Sequence, residues 1–444
     1  MANTYTIRSV SSAETFNKLT VSCWFKGMAD GTQRAIWGIY NTSSTNRFFG
    51  LYYSSNGSLY GYWKKQSSGY LFTLGTMQKF YDPNAWYNFV MSVDTTLATA
   101  SDRVKFYLNG ERITVFEDTL DTITQNENID LLNDTNGKMQ WGGNIISGTQ
   151  YYWNGSMSHC HMCVGYAYDA SAFGSTDSTT GEWKINTSPN VQYGTNGGFW
   201  FKDGNQLTDS STNSNTLTVG GGTLTKTEDC PSNVFATWNP LAQPNGTLSN
   251  GNTSNSGAED TPATIGITKG KWYWEYKRTN TSNSLHFGIC STKKGFNKTS
   301  LQMLNGESNS VGAAIYISEG GVGTASYGNA AGFSSTSYSG VSTPSIANGD
   351  IVGCALDIST SSGTLTFYKN GSSMGAATFT YDQETPVFPF IRMNSGASAD
   401  VNFGNGYFGT TAVSSAGTNA SNLGIFEYDV PSGYTALCTK GLNL

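Results

Sequence analysis

The chain has 444 residues, 37% hydrophobic and only 13% charged, with a net charge of −6. That length exceeds what one hydrophobic core fills and points to two or three domains; the thin negative charge argues against a nucleic-acid partner, and no apolar run approaches a membrane span. Its polarity comes from Ser, Thr, Asn and 52 Gly beside 11 Trp, 25 Tyr and 23 Phe, a mixture that suits short strands joined by turns rather than long helices.

In chain order, KLTVSCWFK at 18–26 alternates as a strand. Strands follow at 34–40 and 47–53, then SLYGYWKK at 58–65 after the Asn56-Gly57 turn. WYNFVMSV (86–93) and RVKFYL (103–108) lead into a hairpin with a return strand near 112–117, and strands near 138–142 and 155–166 close a first domain. Residues 169–185 are the best helix-or-turn segment, followed by a covering segment with Phe199-Trp200-Phe201. The join lies in 223–246, which holds three of the ten prolines and a cluster of turn residues. Beyond it, strands are predicted at 271–278, 285–291, 311–318, 350–358, 364–371, 388–393 and 399–404, with the Gly- and Ser-rich stretch 319–348 read as long loops. Short strands at this spacing are the signature of a sandwich, so the predicted class is all-β, two tandem antiparallel β-sandwiches over 1–228 and 229–444.

One phrase occurs twice. Residues 91–112 and 353–373 each run an apolar strand to an Asp (Asp94, Asp357), then a polar turn, an aromatic strand (Phe106-Tyr107, Phe367-Tyr368) and Asn-Gly (Asn109-Gly110, Asn370-Gly371). Asn-Gly is the strongest short-range hairpin signal, because both residues tolerate the positive φ of a type I′ turn. The seven cysteines are scattered, several within apolar strand patterns, and read as buried thiols of a protein made in a reducing cytoplasm. The stretch MANTYTIRSVSSAETF lacks an apolar h-region, so no secretory signal peptide is expected.

LTVSCWFKG, WYNFVMSVD and FYLNGERI resemble, in that order, the laminin-G/concanavalin-like jelly-roll family. KWYWEYK, HFGICS, DIVGCALDISTSSGTLTFYKNG and PFIRMNSGASADVNFG resemble the SPRY domain over most of 265–405. With GSMSHCHMCVGYAYDASAFG (155–174), YGTNGGFWFK (193–202), CPSNVFATWNPL (230–241) and GYTALCTKGLNL (433–444), the whole is similar to a recurrent type of tailed-bacteriophage virion protein. That resemblance implies a non-enzymatic surface component of the particle, made in the host cytoplasm: a tail fibre, receptor-binding adhesin or capsid decoration. Other virion proteins and a host-surface glycan or protein would be its partners, without nucleic acid or membrane insertion, and it would be a homo-oligomer on the particle. The absence of a heptad, collagen-like or shaft segment favours a compact adhesin, fibre-tip unit or decoration over an elongated fibre. The alternative reading is a purely structural decoration or tail-assembly role.

Four constellations bear on chemistry. His159, His161 and Cys163 would share one face of a strand, with Cys160 on the other, and could hold zinc or copper; the lack of a fourth ligand nearby favours packed or hydrogen-bonded core residues instead. Concanavalin-like sandwiches also host glycoside hydrolases, which need paired carboxylates on one strand face; Glu111, Glu117, Asp118, Glu127 and Asp130 form no such phrase, and no catalytic residues are assigned. The resemblance admits calcium as a cofactor, held by Asp82, Asp94, Asp102 or Asp118, though each also reads as a turn residue. Two aromatic clusters offer rings for stacking on sugars or anchoring a protein: Tyr52, Tyr53, Tyr60, Tyr62 and Trp63 with Lys64 and Lys65, and Tyr151, Tyr152 and Trp153. Alternation buries every second one; Tyr62, Trp63, Tyr152 and Trp153 are the named ligand candidates. The SPRY resemblance adds the loops at 292–310 and 319–348, with Lys294, Phe296, Tyr327 and Tyr338.

Overall fold

In the computed structural model, two contact-defined units divide the chain: Met1–Lys226 with Cys230–Ser232, and Thr227–Asp229 with Asn233–Leu444. The structure describes residues 3–443 except 11, 28–30, 45–46, 66–68, 203, 205, 243–245, 258, 281–284, 292–311, 319–320, 328–332, 340–344 and 395. The fold is all-β, and the helical turns among the described residues are single 3-10 turns such as Ala100–Asp102 and Ala170–Ala172. No helix of the described residues is long and apolar enough to cross a membrane.

The first unit packs two antiparallel sheets face to face. One has eight strands, in the order Phe116–Asp121, Gly69–Thr76, Leu59–Lys65, Phe48–Tyr53, Arg34–Asn41, Gly137–Trp141, Tyr5–Ser9 and Thr218–Gly221. The other has six: Gly198–Trp200, Gly155–Val164, Lys18–Gly27, Tyr87–Asp94, Val104–Leu108 and Glu111–Ile113. Period-2 alternation sends Leu19, Val21, Cys23 and Phe25 inward against Phe89, Met91, Phe106, Cys160 and Met162, and the facing sheet contributes Trp37, Phe49, Trp63, Phe72 and Trp141.

The second unit has a large sheet running Thr247–Ser249, Ser254–Ser256, Ser398–Asn402, Lys271–Asn280, Ile351–Asp357, Ser362–Lys369, Ser372–Tyr381, Phe333–Ser339, with Thr435–Ala436 added in parallel to Lys271–Asn280. It faces a five-stranded sheet of Glu259–Pro262, Val387–Met393, Leu285–Ser291, Gly312–Ser318 and Gly321–Tyr327. Trp274, Tyr276, Phe367, Phe287 and Ile289 lie between them. Outside the large sheet, Phe426, Val430 and Ala436 cover Tyr273 and Ala355.

The repeated phrase folds the same way in both units. Asn109 and Gly110 have φ of 45° and 86°, and Asn370 and Gly371 have 49° and 80°. The Asn109 N–H donates to the Asn88 carbonyl at 2.9 Å while its side-chain oxygen accepts from the Asn88 N–H at 2.8 Å; Asn370 makes the same reciprocal pair with Ile351 at 2.8 and 2.8 Å. At the other end, Lys18 pairs with Asp94 at 3.0 Å and Lys271 with Asp357 at 3.0 Å.

One expectation is resolved and another corrected. Of the helix-or-turn alternatives for 169–185 the structure takes the turn, at Ala170–Ala172, followed by a hairpin of Gly174–Thr176 with Trp183–Ile185. Its loop closes on Asp177, which accepts from the Thr179 and Thr180 N–H groups and pairs with Lys184. The stretch 319–348 contains two strands, Gly321–Tyr327 and Phe333–Ser339. Each lies at the edge of its sheet, where a strand is paired on one side only, so Gly- and Ser-rich sequence is accepted there.

Candidate functional site

The outer face of the eight-stranded sheet is lined with tyrosine. Residues directly opposite one another across an antiparallel sheet share a face, and the register sorts this one into three rows. The first runs Tyr52, Tyr60, Gly75, Asp118; the second Gly38, Gly50, Tyr62, Thr73, Leu120; the third Tyr40, Phe48, Lys64, Tyr70. The hairpin Gly143–Ile146 with Thr149–Tyr152 lies across the middle row. Its Asn144 side chain fills the space that a Cβ on Gly38 or Gly50 would need, with contacts at 2.0 and 2.6 Å. Gly75 leaves equal room for the Tyr60 ring, whose nearest atom would sit 2.5 Å from a Cβ there.

The rings are held in place. Tyr52 and Tyr60 stack at 5.1 Å and 9°, Tyr52 meets Tyr62 at 5.2 Å, and Phe48 meets Tyr62 and Tyr70 edge-on at 5.5 and 6.0 Å. The Lys64 ammonium rests 5.1 Å from the Tyr70 ring centre and 5.6 Å from that of Phe48. Asn144 donates to the Tyr62 hydroxyl at 2.7 Å, and Gln140 to the Tyr40 hydroxyl at 3.2 Å. Tyr60 donates to Glu117 at 2.8 Å, and the same carboxylate receives Ser58 at 2.6 Å, Asn56 at 3.1 Å and Lys79 at 2.6 Å.

Burial, then the bond to Glu117, pushes the Tyr60 phenol up to about 12, and burial raises Tyr52, Tyr62 and Tyr70 as well. Burial alone would raise Glu117, but its hydrogen bonds outweigh that and hold it at about 2. It is therefore ionised and committed to donors, the opposite of the protonated carboxyl that glycosidic acid catalysis requires. The face offers neutral aromatic planes and fixed polar groups, which is the chemistry of binding.

The named candidates divide. Tyr62 lies on this face, but the covering hairpin leaves it 1% exposed. Tyr152, half-buried, belongs to that hairpin and meets Tyr5 at 5.8 Å. Trp63 and Trp153 point into the core, 0% and 6% exposed, and do not face a ligand: the pleat turns Trp63 away from Tyr62, and Trp153 packs on Phe25 and Tyr53. Lys294 and Phe296 lie outside the described residues; Tyr327 and Tyr338 fall on strands rather than loops. The exposed ring that sequence reasoning missed is Tyr70, 39% accessible. Its signal was the alternation of GYLFTLGT, which forms the strand Gly69–Thr76.

The histidine strand is interrupted by a bulge between Ser158 and His161, and His159 takes φ 46°, so strict alternation fails there. Cys160 faces the core. The His161 ring stacks on Phe199 at 4.0 Å and its Nδ1 lies 3.0 Å from the Tyr193 hydroxyl; burial, reinforced by His159 and Lys202, depresses its basicity. Cys163 packs with Val90, Tyr107 and Phe173, and burial raises its thiol. Among the described residues no group of three or more His, Cys, Asp or Glu is placed to hold a metal. Of the aspartates weighed for calcium, Asp82 caps the Asn84 N–H at 2.8 Å, Asp94 pairs with Lys18, and Asp102 pairs with Arg112 at 3.0 Å.

Residues 2–162 match the Concanavalin A-like lectin/glucanases superfamily and residues 271–406 match the SPRY domain, so a domain of each kind is present. These are typically binding modules. Among solved structures, the chain is similar to a heptameric SAP-like pentraxin from Limulus polyphemus (15% identity, TM-score 0.31, 50% of this chain and 90% of that one). It is also similar to the CBM40 of the Ruminococcus gnavus IT-sialidase bound to alpha2,3 sialyllactose (18% identity, TM-score 0.28, 35% and 80%) and to the SPRY domain of human HERC1 (17% identity, TM-score 0.25, 37% and 96%). No curated protein matches the chain.

Proposed function

We propose that the chain is a non-enzymatic recognition protein on the surface of a tailed-bacteriophage particle, which engages a host-surface glycan or protein through the tyrosine face of its first sandwich. The observation that carries this reading is the set of pre-fixed aromatic rings on the outside of a sheet, with Tyr70 exposed and Tyr60 half-exposed. Rings whose hydroxyls are already bonded lose little freedom on binding, so their contact area converts efficiently into affinity. The virion assignment is supported by the four phage-type phrases spread along the chain. Many copies on one particle, joined to other virion proteins, would supply avidity to a weak single site.

The test is binding of the full-length protein to intact host bacteria. Saturable binding that blocks phage adsorption, and that is lost when Tyr60 and Tyr70 are both replaced by Ala, is the expected outcome. Binding unchanged in that double variant would remove the tyrosine face from recognition. No binding even by a multimerised protein would favour a capsid decoration or tail-assembly role.

A further inference from the structure

The covering hairpin lies over the Gly38 and Gly50 end of the middle row, and not over Thr73 and Leu120 at its other end. Asn144 occupies the middle row over Gly38 and Gly50, and Tyr62 walls that end. Beyond Tyr62 the middle row continues as Thr73 and Leu120, and Leu120 is 42% exposed on the edge strand. A trough therefore runs outward from Tyr62 to the sheet edge. Tyr60 stands on one side of it; Tyr70, beside its register partner Lys64 and held through its hydroxyl by Ser147 at the turn of the covering hairpin, stands on the other.

Its dimensions follow from the strand. Tyr60 and Lys64 are four residues apart on Leu59–Lys65, roughly 13 Å. One sugar ring cannot cover both sides, whereas a chain of two or more can. Its charges cancel: Lys64 belongs to one flanking row and Asp118 to the other, and Glu117 is neutralised by Lys79 at 2.6 Å. The phenols remain protonated well above neutral pH. An acidic polymer would gain from Lys64 what it loses to Asp118, so long-range attraction gives it no advantage.

We propose that this open trough binds an uncharged oligosaccharide of at least two rings, whose C–H faces stack on Tyr60 and Tyr70. The proposal rests on the recognition reading above and names its ligand class. Tyr60 contributes its ring rather than its hydroxyl, which is already bonded to Glu117.

The test is inhibition of host-cell binding by a panel of neutral, uronate-containing and sialylated oligosaccharides, with the full-length protein at low and high salt. Neutral oligosaccharides are expected to compete, with little effect of salt. Tyr70→Ala and Tyr60→Ala should each weaken this competition by about tenfold in Kd, while Tyr60→Phe, which keeps the ring, should leave it unchanged. Unaltered thermal unfolding of Tyr70→Ala, a change at an exposed position, would separate lost contact from lost fold. Preferential, salt-sensitive competition by acidic oligosaccharides would overturn the proposal, as would full affinity in Tyr60→Ala and Tyr70→Ala. If the two alanine changes abolish cell binding but no neutral oligosaccharide competes, the ligand class is wrong and the recognition reading stands. If they leave cell binding intact, both fall.

Discussion

Glu275 sits on the outer face of the large sheet of the second unit, wholly buried. Its two oxygens accept the backbone N–H groups of Glu427 and Tyr428 at 2.9 Å each, with the Tyr273 hydroxyl at 3.2 Å and Asn402 at 3.5 Å. It thus pins the segment that carries Phe426 over Tyr273. Burial raises its pKa from the ordinary 4.5 to about 7, although the two backbone N–H groups and the Tyr273 hydroxyl pull the other way. A carboxyl raised in the folded state holds its proton where the unfolded chain has lost it. Its stabilising contribution is therefore complete below pH 4.5 and falls away as pH rises through about 7. Over that window the second unit should lose on the order of 3 kcal/mol, which Glu275→Gln should make flat. Urea unfolding of both proteins between pH 5 and 8 reads this directly. Parallel curves for the two would refute it.

At the scale of single elements, the glycines beneath the tyrosine face decide whether the hairpin can lie down. Gly38→Ala should displace Asn144 and destabilise the first unit by about 1–3 kcal/mol, with increased hydrogen exchange confined at first to 143–152. Protection there equal to the wild type would contradict the packing described. The Asn-Gly hairpins make a matched pair: Asn109→Ala and Asn370→Ala each remove one reciprocal clamp and an αL-tolerant residue, and each should cost about 1–2 kcal/mol in its own unit. A cost in one unit only would show that the two hairpins, alike in geometry, differ in weight. These hairpins were legible because Asn-Gly has a local backbone reason. The direction of each aromatic in Tyr62-Trp63 was not. Alternation says that one of two neighbours is buried, but the phase depends on which sheet lies opposite. The structure sends Trp63 and Trp153 inward and leaves Tyr52, Tyr60 and Tyr70 outward, where the Tyr60 hydroxyl reaches Glu117 and that of Tyr70 reaches Ser147. Gly321–Tyr327 and Phe333–Ser339 were illegible because edge strands need little β-propensity. The bulge at His159 was hidden because nothing in SHCHMC marks an extra residue.

At the scale of the whole molecule, the chain presents two sandwiches with the same hairpin unit and different outer coverings. The first lays a short hairpin over part of its eight-stranded sheet, with Tyr60 and Tyr70 at its margin; the second covers part of its large sheet with the segment anchored by Glu275. A rigid sheet that holds aromatic rings in fixed positions is suited to recognition, and the ionised, fully bonded Glu117 beside it is unsuited to acid catalysis. The measurement that tests this most directly is the binding isotherm of the full-length protein on intact host bacteria, beside that of the Tyr60→Ala, Tyr70→Ala double variant. The expected result is saturable binding by the wild type and its loss in the variant, with the thermal unfolding of both sandwiches unchanged. Equal binding by the two proteins would contradict it.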